Sequence, residues 1–141
     1  TPDELKCKFA MVREFLEAYQ IPYYEMEGYE GDDLIGTLSK LGEEQGLTVS
    51  IFTGDKDAFQ LVSNQTTVYR TVKGVTQLDV YTPATLDEKY GLKPDQIRDF
   101  LGLMGDSADN IPGIKGVGEK TALKLLHEYG TIENLKEHIT V

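Results

Sequence analysis

One stretch of this chain decides how its second half is organised: residues 105–121 read GDSADNIPGIKGVGEKT. Asp106 and Asp109 stand three positions apart, a spacing that places both carboxylates on one side of a turn. Gly116 and Gly118 follow directly before a predicted helix, where glycines allow a phosphate to approach backbone N–H groups closely. The stretch therefore predicts a carboxylate loop that leads straight into a phosphate-binding turn.

Helical patterns flank this stretch on both sides. Apolar residues recur at helical spacing over residues 94–104 before it and from residue 119 to Tyr129 after it. Thr131 is placed to cap one more short helix. A helix, a turn of the form apolar-x-Gly-apolar-Gly and a second helix make a helix–hairpin–helix pattern, although a tight structural connection between helices is the alternative. We predict an all-helical subdomain over residues 93–141.

Strands and helices alternate in the first half of the chain. This alternation is typical of a parallel sheet, so we predict an α/β fold for residues 1–92, with a partial parallel sheet and flanking helices. The predicted elements are a helix through residues 12–19, a short strand at 23–25, a helix from Asp32 to about Gly46, a strand at 48–52, a helical turn at 57–61, a hairpin of strands 68–72 and 75–81, and a helix from Pro83 to Tyr90.

Two further acidic clusters lie where predicted elements begin or end. Glu30, Asp32 and Asp33 stand at a helix start, where acids also act simply as favourable charges for the helix dipole. Asp55 and Asp57 follow a strand, and open α/β sheets bind ligands at that edge, although a solvated loop is the alternative. Carboxylate-only ligands select Mg²⁺, Mn²⁺ or Ca²⁺ over zinc. Two such ions would suit an in-line phosphoryl displacement, which indicates phosphodiester chemistry.

Composition narrows the class of protein. The 141 residues carry a net charge of −10, which argues against simple electrostatic binding of nucleic acid. Lysines 115, 120 and 124 nevertheless make the region around the glycine turn locally positive. Cys7 is the single cysteine, so neither an internal disulfide nor a zinc site is predicted. No apolar run long enough for a membrane span or a signal peptide is seen, and we expect a cytoplasmic protein with no membrane partner.

Four motifs together resemble a known family. They are YEGDD at residues 29–33, TGDKD at 53–57, GLMGDSADNIPG at 102–113 and GVGEKTA at 116–122. Each is similar to a signature segment of the 5′-nuclease domain of bacterial DNA polymerases I, within the flap-endonuclease superfamily. The resemblance covers essentially the whole chain. It implies a PIN-like nuclease core followed by a helix–three-turn–helix element.

The resemblance also implies roles for individual residues. It implies a set of ligands for two Mg²⁺ or Mn²⁺ ions, namely Glu30, Asp32, Asp33, Asp55, Asp57, Asp106 and Asp109. Among these, the catalytic core would be Asp32, Asp33, Asp55 and Asp57. The implied contacts with the duplex DNA backbone come from the glycine turn, at Gly113, Lys115, Gly116, Gly118, Lys120 and Thr121. A K⁺ ion at that turn is a further expectation.

The activity implied is that of a 5′→3′ exonuclease and flap endonuclease in bacterial DNA replication and repair. The family's domain normally begins further upstream, with the first strands, another metal-binding aspartate and a basic helical arch. We therefore expect this chain to be the C-terminal part of the domain, a monomer with polymerase modules after it, and to cleave poorly alone. One alternative is a non-catalytic module that binds duplex DNA. Another is a Mg²⁺-dependent phosphatase of small esters, which a duplex-binding turn argues against.

Overall fold

The computed structural model of the protein describes residues 2–74 and 76–139. The chain divides into two compact units, Thr1–Leu34 and Ile35–Val141. The elements in chain order are α1 (Asp3–Ala18), α2 (Gly31–Glu44), β1 (Val49–Thr53), a 3-10 helix (Lys56–Leu61), β2 (Thr66–Lys73), β3 (Gln77–Tyr81), α3 (Pro83–Tyr90), a 3-10 turn (Pro94–Gln96), α4 (Ile97–Met104), β4 (Gly105–Asp106), β5 (Ile111–Pro112), α5 (Glu119–Tyr129) and α6 (Ile132–Glu137).

The first unit consists of α1, the segment that follows it and the start of α2. Polar contacts hold that segment against the helix: the Arg13 guanidinium forms an ion pair with Glu25 at 2.7 Å, and the Tyr23 hydroxyl donates to Glu17 at 2.8 Å. Residues 21–26 contain no strand, so the strand predicted at 23–25 is wrong. A short β-rich run becomes a strand only when a neighbouring chain takes up its hydrogen bonds. No residue of α1 is buried.

The second unit contains a three-stranded sheet in the order β1-β2-β3. β1 and β2 are parallel, with Ile51 opposite Val68, and β2 and β3 are antiparallel, with Val68 opposite Tyr81. The predicted parallel pairing and the predicted hairpin are both confirmed. Val75, where we expected the second hairpin strand to begin, lies outside the described residues, as do Thr1, Thr140 and Val141 at the predicted domain ends.

Local signals account for the helices after the sheet. Thr82 accepts a hydrogen bond from the backbone of Thr85, whose own side chain bonds back to Thr82, and this capping box starts α3. Gly91 ends the helix in the left-handed conformation, at φ +64°. α4 and α5 follow where their apolar stripes predict them. The α/β class with a helical C-terminal region is therefore confirmed, while the division of the chain at residue 92 stays a prediction.

The core of the second unit lies between one face of the sheet and helices α3, α4 and α5. Phe59, in the 3-10 helix that follows β1, is buried and stacks on Tyr81 with their ring centroids 4.0 Å apart. Leu103 of α4 and Leu126 of α5 are also buried there. Because the loop after β1 and the loop after α4 both leave this core, their positions are fixed by packing. Among the described helices, none has the length and apolarity that crossing a bilayer requires.

Candidate functional site

Four carboxylates of the second unit converge at one point. Asp55, Asp57, Asp106 and Asp109 each offer an oxygen, and these oxygens all lie within 4.8 Å of one another. The first two follow β1 and the last two follow α4, so two segments far apart in sequence form the group. We call these four residues the carboxylate cluster. The sequence predicted this convergence, because Asp55 and Asp57 follow a strand and Asp106 and Asp109 stand three positions apart in a turn.

Hydrogen bonds between neighbouring residues hold the two aspartates after β1. The Thr53 hydroxyl accepts a bond from the Asp55 backbone N–H at 3.1 Å. Asp55 in turn accepts a bond from the backbone N–H of Asp57 at 3.0 Å and so caps the 3-10 helix. This arrangement uses one Asp55 oxygen for capping and leaves the other oxygen for a ligand. The sequence did not predict this capping role of Asp55, which is compatible with metal binding by its other oxygen.

A close crossing of two backbone segments fixes the aspartates after α4. A Cβ atom on Gly113 would lie 2.3 Å from the backbone carbonyl of Met104, and one on Gly105 would lie 2.4 Å from the backbone nitrogen of Gly113. β4 and β5 pair antiparallel across this crossing, with Asp106 opposite Ile111. The Asp106 carboxylate then accepts a bond from the Ala108 N–H at 2.8 Å. The loop that carries Asp106 and Asp109 is therefore clamped at its base.

The electrostatics of the cluster suit a hard cation. Partial burial, helped by hydrogen bonding with Asp109 and by the charges of Asp55, Asp109 and Asp106, raises the pKa of Asp57 to about 6. Among the described residues, no lysine or arginine forms an ion pair with the cluster within 4.0 Å. Four mutually repelling oxygen donors, with no ion-paired lysine or arginine among the described residues, match the ligand preference of Mg²⁺, Mn²⁺ or Ca²⁺. The donor set therefore fits the expected divalent metal.

Glu30, Asp32 and Asp33 lie in the first unit, at the start of α2, and their side chains are exposed. The Asp33 carboxylate accepts a bond from the Glu30 backbone N–H at 3.1 Å, which is a helix-capping contact. The helix-start interpretation therefore holds for this pair. A part for these three residues in metal binding stays a prediction.

The glycine turn presents an open backbone surface. Apart from adjacent residues, no described residue has an atom within 4 Å of the positions that Cβ atoms would take on Gly116 and Gly118, and Gly116 has φ +84°. A bond from the Val117 N–H to the Ile114 carbonyl, 2.9 Å long, closes the turn, and α5 starts at Glu119. Lys115, Lys120 and Thr121 are also exposed. Gly113 differs from the other predicted DNA contacts, because its place in the backbone crossing already explains why it is glycine.

A cavity of about 470 Å³ adjoins the carboxylate cluster. Asp55 and Asp106 line it together with two cations, Lys56 and Arg70. Arg70 was not among the residues predicted from the sequence. Its position follows from strand register, since Arg70 pairs with Thr53 at the carboxyl end of β1. That register could have been inferred only after β2 was known to run parallel to β1.

Family models cover the whole chain. A model described as the N-terminal resolvase-like domain of 5′-3′ exonuclease matches residues 1–91, and one described as the C-terminal SAM fold of 5′-3′ exonuclease matches residues 92–141.

Curated relatives are DNA polymerases I. The chain is 55% identical to that of Bacillus subtilis over 99% of its own length, and 54% identical to that of Bacillus caldotenax over 96%. It spans only about 16% and 15% of the lengths of these two relatives.

Solved structures share the fold at lower identity. The T5 D15 protein, crystallised with metal ions, aligns over 100% of this chain and 54% of its own, with a TM-score of 0.77 and 21% identity. The catalytic core of Rad2 in complex with a DNA substrate aligns over 97% of this chain and 40% of its own, with a TM-score of 0.65 and 21% identity. At this identity the likeness concerns the fold alone.

Proposed function

We propose that this chain, which belongs to the 5′-3′ exonuclease family, is part of a divalent-metal-dependent nuclease that hydrolyses phosphodiester bonds at the 5′ ends and flaps of DNA. The observation that carries the proposal is the carboxylate cluster, in which two separate loops bring four carboxylate oxygens within 4.8 Å of one another. The relatives named DNA polymerase I and the T5 5′-exonuclease with bound divalent metal agree with this assignment.

The carboxylate cluster would hold the metal. Divalent ions bound there would supply an activated water and charge stabilisation for the leaving oxygen. Asp55 and Asp57 lie at the sheet edge, and the capping bond between them orients Asp55. Asp106 and Asp109 would complete the ligand set from the clamped loop. We propose Mg²⁺ or Mn²⁺ as the ion, two ions as the number, and Glu30, Asp32 and Asp33 as further ligands.

Duplex DNA is the proposed substrate, and the glycine turn is its proposed docking surface. The space outside Gly116 and Gly118 lets a phosphodiester backbone come within hydrogen-bond distance of the first N–H groups of α5. Lys115 and Lys120 add positive charge at that surface. Such contacts hold the backbone and read no base edges, so binding should be independent of sequence. A K⁺ ion bridging the turn and the DNA is part of the proposal.

The active protein would contain more than these residues, since the chain spans about 16% of its Bacillus subtilis relative. We propose that a preceding nuclease segment and the polymerase modules of the same protein are its partners. We propose that it acts on the replicating chromosome in the bacterial cytoplasm and that it works as a monomer.

A cleavage assay tests this function. The substrate is a 5′-flap duplex labelled at its 5′ end, incubated with Mn²⁺ or with chelator. The chain is assayed alone and joined behind the preceding nuclease segment of the Bacillus subtilis relative. We expect slow or no cleavage alone, because positional errors of about 1 Å can cost about 100-fold in rate. We expect metal-dependent cleavage by the joined protein.

Matched variants identify the residues responsible. Asp57→Asn should abolish cleavage by the joined protein, whereas Asp95→Asn, the same change at an exposed position of the second unit, should leave it unaltered. Cleavage that survives Asp57→Asn would contradict the proposed site. Duplex binding without any cleavage would favour the non-catalytic module.

A further inference from the structure

The cavity beside the carboxylate cluster is lined by charges of both signs. The lining includes the acidic residues Asp55 and Asp106 and the basic residues Lys56 and Arg70. Its volume of about 470 Å³ lies within the range of about 300–1,000 Å³ that is usual for sites of small ligands. A site that combines carboxylates with cations suits a ligand that is itself an anion and is bridged to the carboxylates by metal.

The sheet fixes the backbone position of Arg70 in the cavity lining. Its backbone stands between Thr53 of β1 and Asp79 of β3, in the central strand. Its Nε donates to the carbonyl oxygen of Gly54, the residue that immediately precedes Asp55, at 3.4 Å. The bond is long, but it directs the half-buried side chain along the cavity toward the loop that carries the cluster.

The outer nitrogens of the Arg70 guanidinium remain available for a ligand. Among the described residues, no carboxylate lies within 4.0 Å of them as an ion-pair partner, although two acidic residues line the same cavity. Arg70 lines the same cavity as Asp55 and Asp106 but forms an ion pair with neither of them. The separation leaves space between the cation and the carboxylates for an anionic group.

We infer that Arg70 binds a phosphate of the nucleic-acid strand held at the carboxylate cluster. A guanidinium offers two parallel N–H donors that match two oxygens of one phosphate, and Asp55 and Asp106 of the carboxylate cluster line the same cavity. The inference rests on the proposed nuclease function and adds a strand-binding residue to it. It predicts a contact with the strand at the carboxylate cluster, separate from the duplex contact at the glycine turn.

A binding measurement on the 141-residue chain tests this inference without relying on catalysis. The probe is a 5′-phosphorylated thymidine dinucleotide with fluorescein at its 3′ end, and fluorescence anisotropy in Mn²⁺ gives its affinity. Mn²⁺ binding is measured in parallel from the electron paramagnetic resonance signal of the free ion. Arg70→Gln and Arg70→Met both remove the guanidinium, and the second keeps the apolar stem. Arg98→Gln is the matched control, because Arg98 is exposed on α4.

A hydrogen bond to a charged group contributes about 1.5–3 kcal/mol, which corresponds to roughly a tenfold or greater change in affinity. We therefore expect both Arg70 variants to bind the probe at least about tenfold more weakly, with Mn²⁺ binding retained, and Arg98→Gln to match the wild type. Equal probe affinity in the wild type and the Arg70 variants would overturn the role of Arg70 alone. If the wild type itself does not bind Mn²⁺, both the proposed function and this inference are overturned.

Discussion

Glycine has two opposite uses in neighbouring parts of this chain. At Gly105 and Gly113 a Cβ atom would lie within 2.4 Å of backbone atoms, so the chain itself occupies the space that a side chain needs. At Gly116 and Gly118 no described residue other than the adjacent ones has an atom within 4 Å of that space. The first pair clamps the loop of Asp106 and Asp109 from within. The second pair leaves the backbone accessible to a ligand.

This difference separates what the fold requires from what a ligand requires. The carboxylate cluster depends on internal packing, since its two loops must meet at a distance set by the core. In the glycine turn, by contrast, no described residue other than the adjacent ones packs against the Cβ positions of Gly116 and Gly118. Substitutions in the first region should therefore cost stability, and substitutions in the second should cost binding.

The largest expected effect is that of Gly113→Ala. The added methyl group would meet the backbone of Met104, which cannot rotate away, so we expect a loss of about 3 kcal/mol or more in the free energy of unfolding. Gly118→Ala is the matched control. At φ −97° with open space it should cost about 1 kcal/mol or less. Urea unfolding followed by circular dichroism compares the two, and similar losses would break the distinction.

The next effect is stabilisation by divalent metal. Binding to the folded state alone adds about 2.7 kcal/mol at 100 times Kd, or very roughly 6–12 °C in Tm for a chain of this length. Thermal melts in Mg²⁺ or Mn²⁺ and in chelator, at fixed ionic strength, measure the shift. The double variant Asp55→Asn/Asp57→Asn should lose it. A shift of equal size in the double variant would show that the metal binds elsewhere.

A smaller effect is a pH dependence of the metal-free protein. The folded-state pKa of Asp57, about 6, lies above its unfolded value, so the folded state binds more protons between pH 4 and 6. Stability from this group is therefore greatest at low pH and declines as the pH rises through 6. Because Asp57 is partly exposed, screening should limit the change to about 1 kcal/mol.

Unfolding midpoints from pH 4 to 7 in chelator would measure this decline. Asp57→Asn should flatten it relative to the wild type. The pKa of Glu43, lowered by its bonds from Ser63 and Thr66, acts in the opposite direction but is common to both proteins. Identical pH profiles for the two proteins would contradict the electrostatic account of the cluster.

The smallest effect concerns the glycine turn. With about three phosphate contacts, the logarithm of the duplex-binding constant should fall against the logarithm of salt concentration with a slope of roughly −3. Lys120→Gln should reduce the steepness of that slope by about 1 and weaken binding to all DNA sequences alike. It should leave the free energy of unfolding unchanged. Fluorescence anisotropy with two unrelated duplexes tests this. A strong preference for one duplex would argue against a backbone-binding surface.

Features with local causes were predictable from the sequence. Thr82 and Pro83 start α3 where expected. Asp55 follows the carboxyl end of β1, the edge at which open α/β sheets bind ligands. Features that depend on a distant partner were not. The strand expected at residues 23–25 lacks a neighbour among the described residues, and the two-residue strands β4 and β5 arise from the Gly105–Gly113 crossing. Arg70 was missed because only the register of β2 against β1 places it beside the cluster.

The central claim is that two separate loops share a divalent ion. Anomalous diffraction from a crystal soaked in Mn²⁺ tests it most directly. The account predicts an anomalous peak with oxygens of Asp55 or Asp57 and of Asp106 or Asp109 within about 2.0–2.6 Å, the range for hard divalent ions. A crystal with well-ordered loops in which Mn²⁺ lies elsewhere, or contacts one loop only, would contradict it.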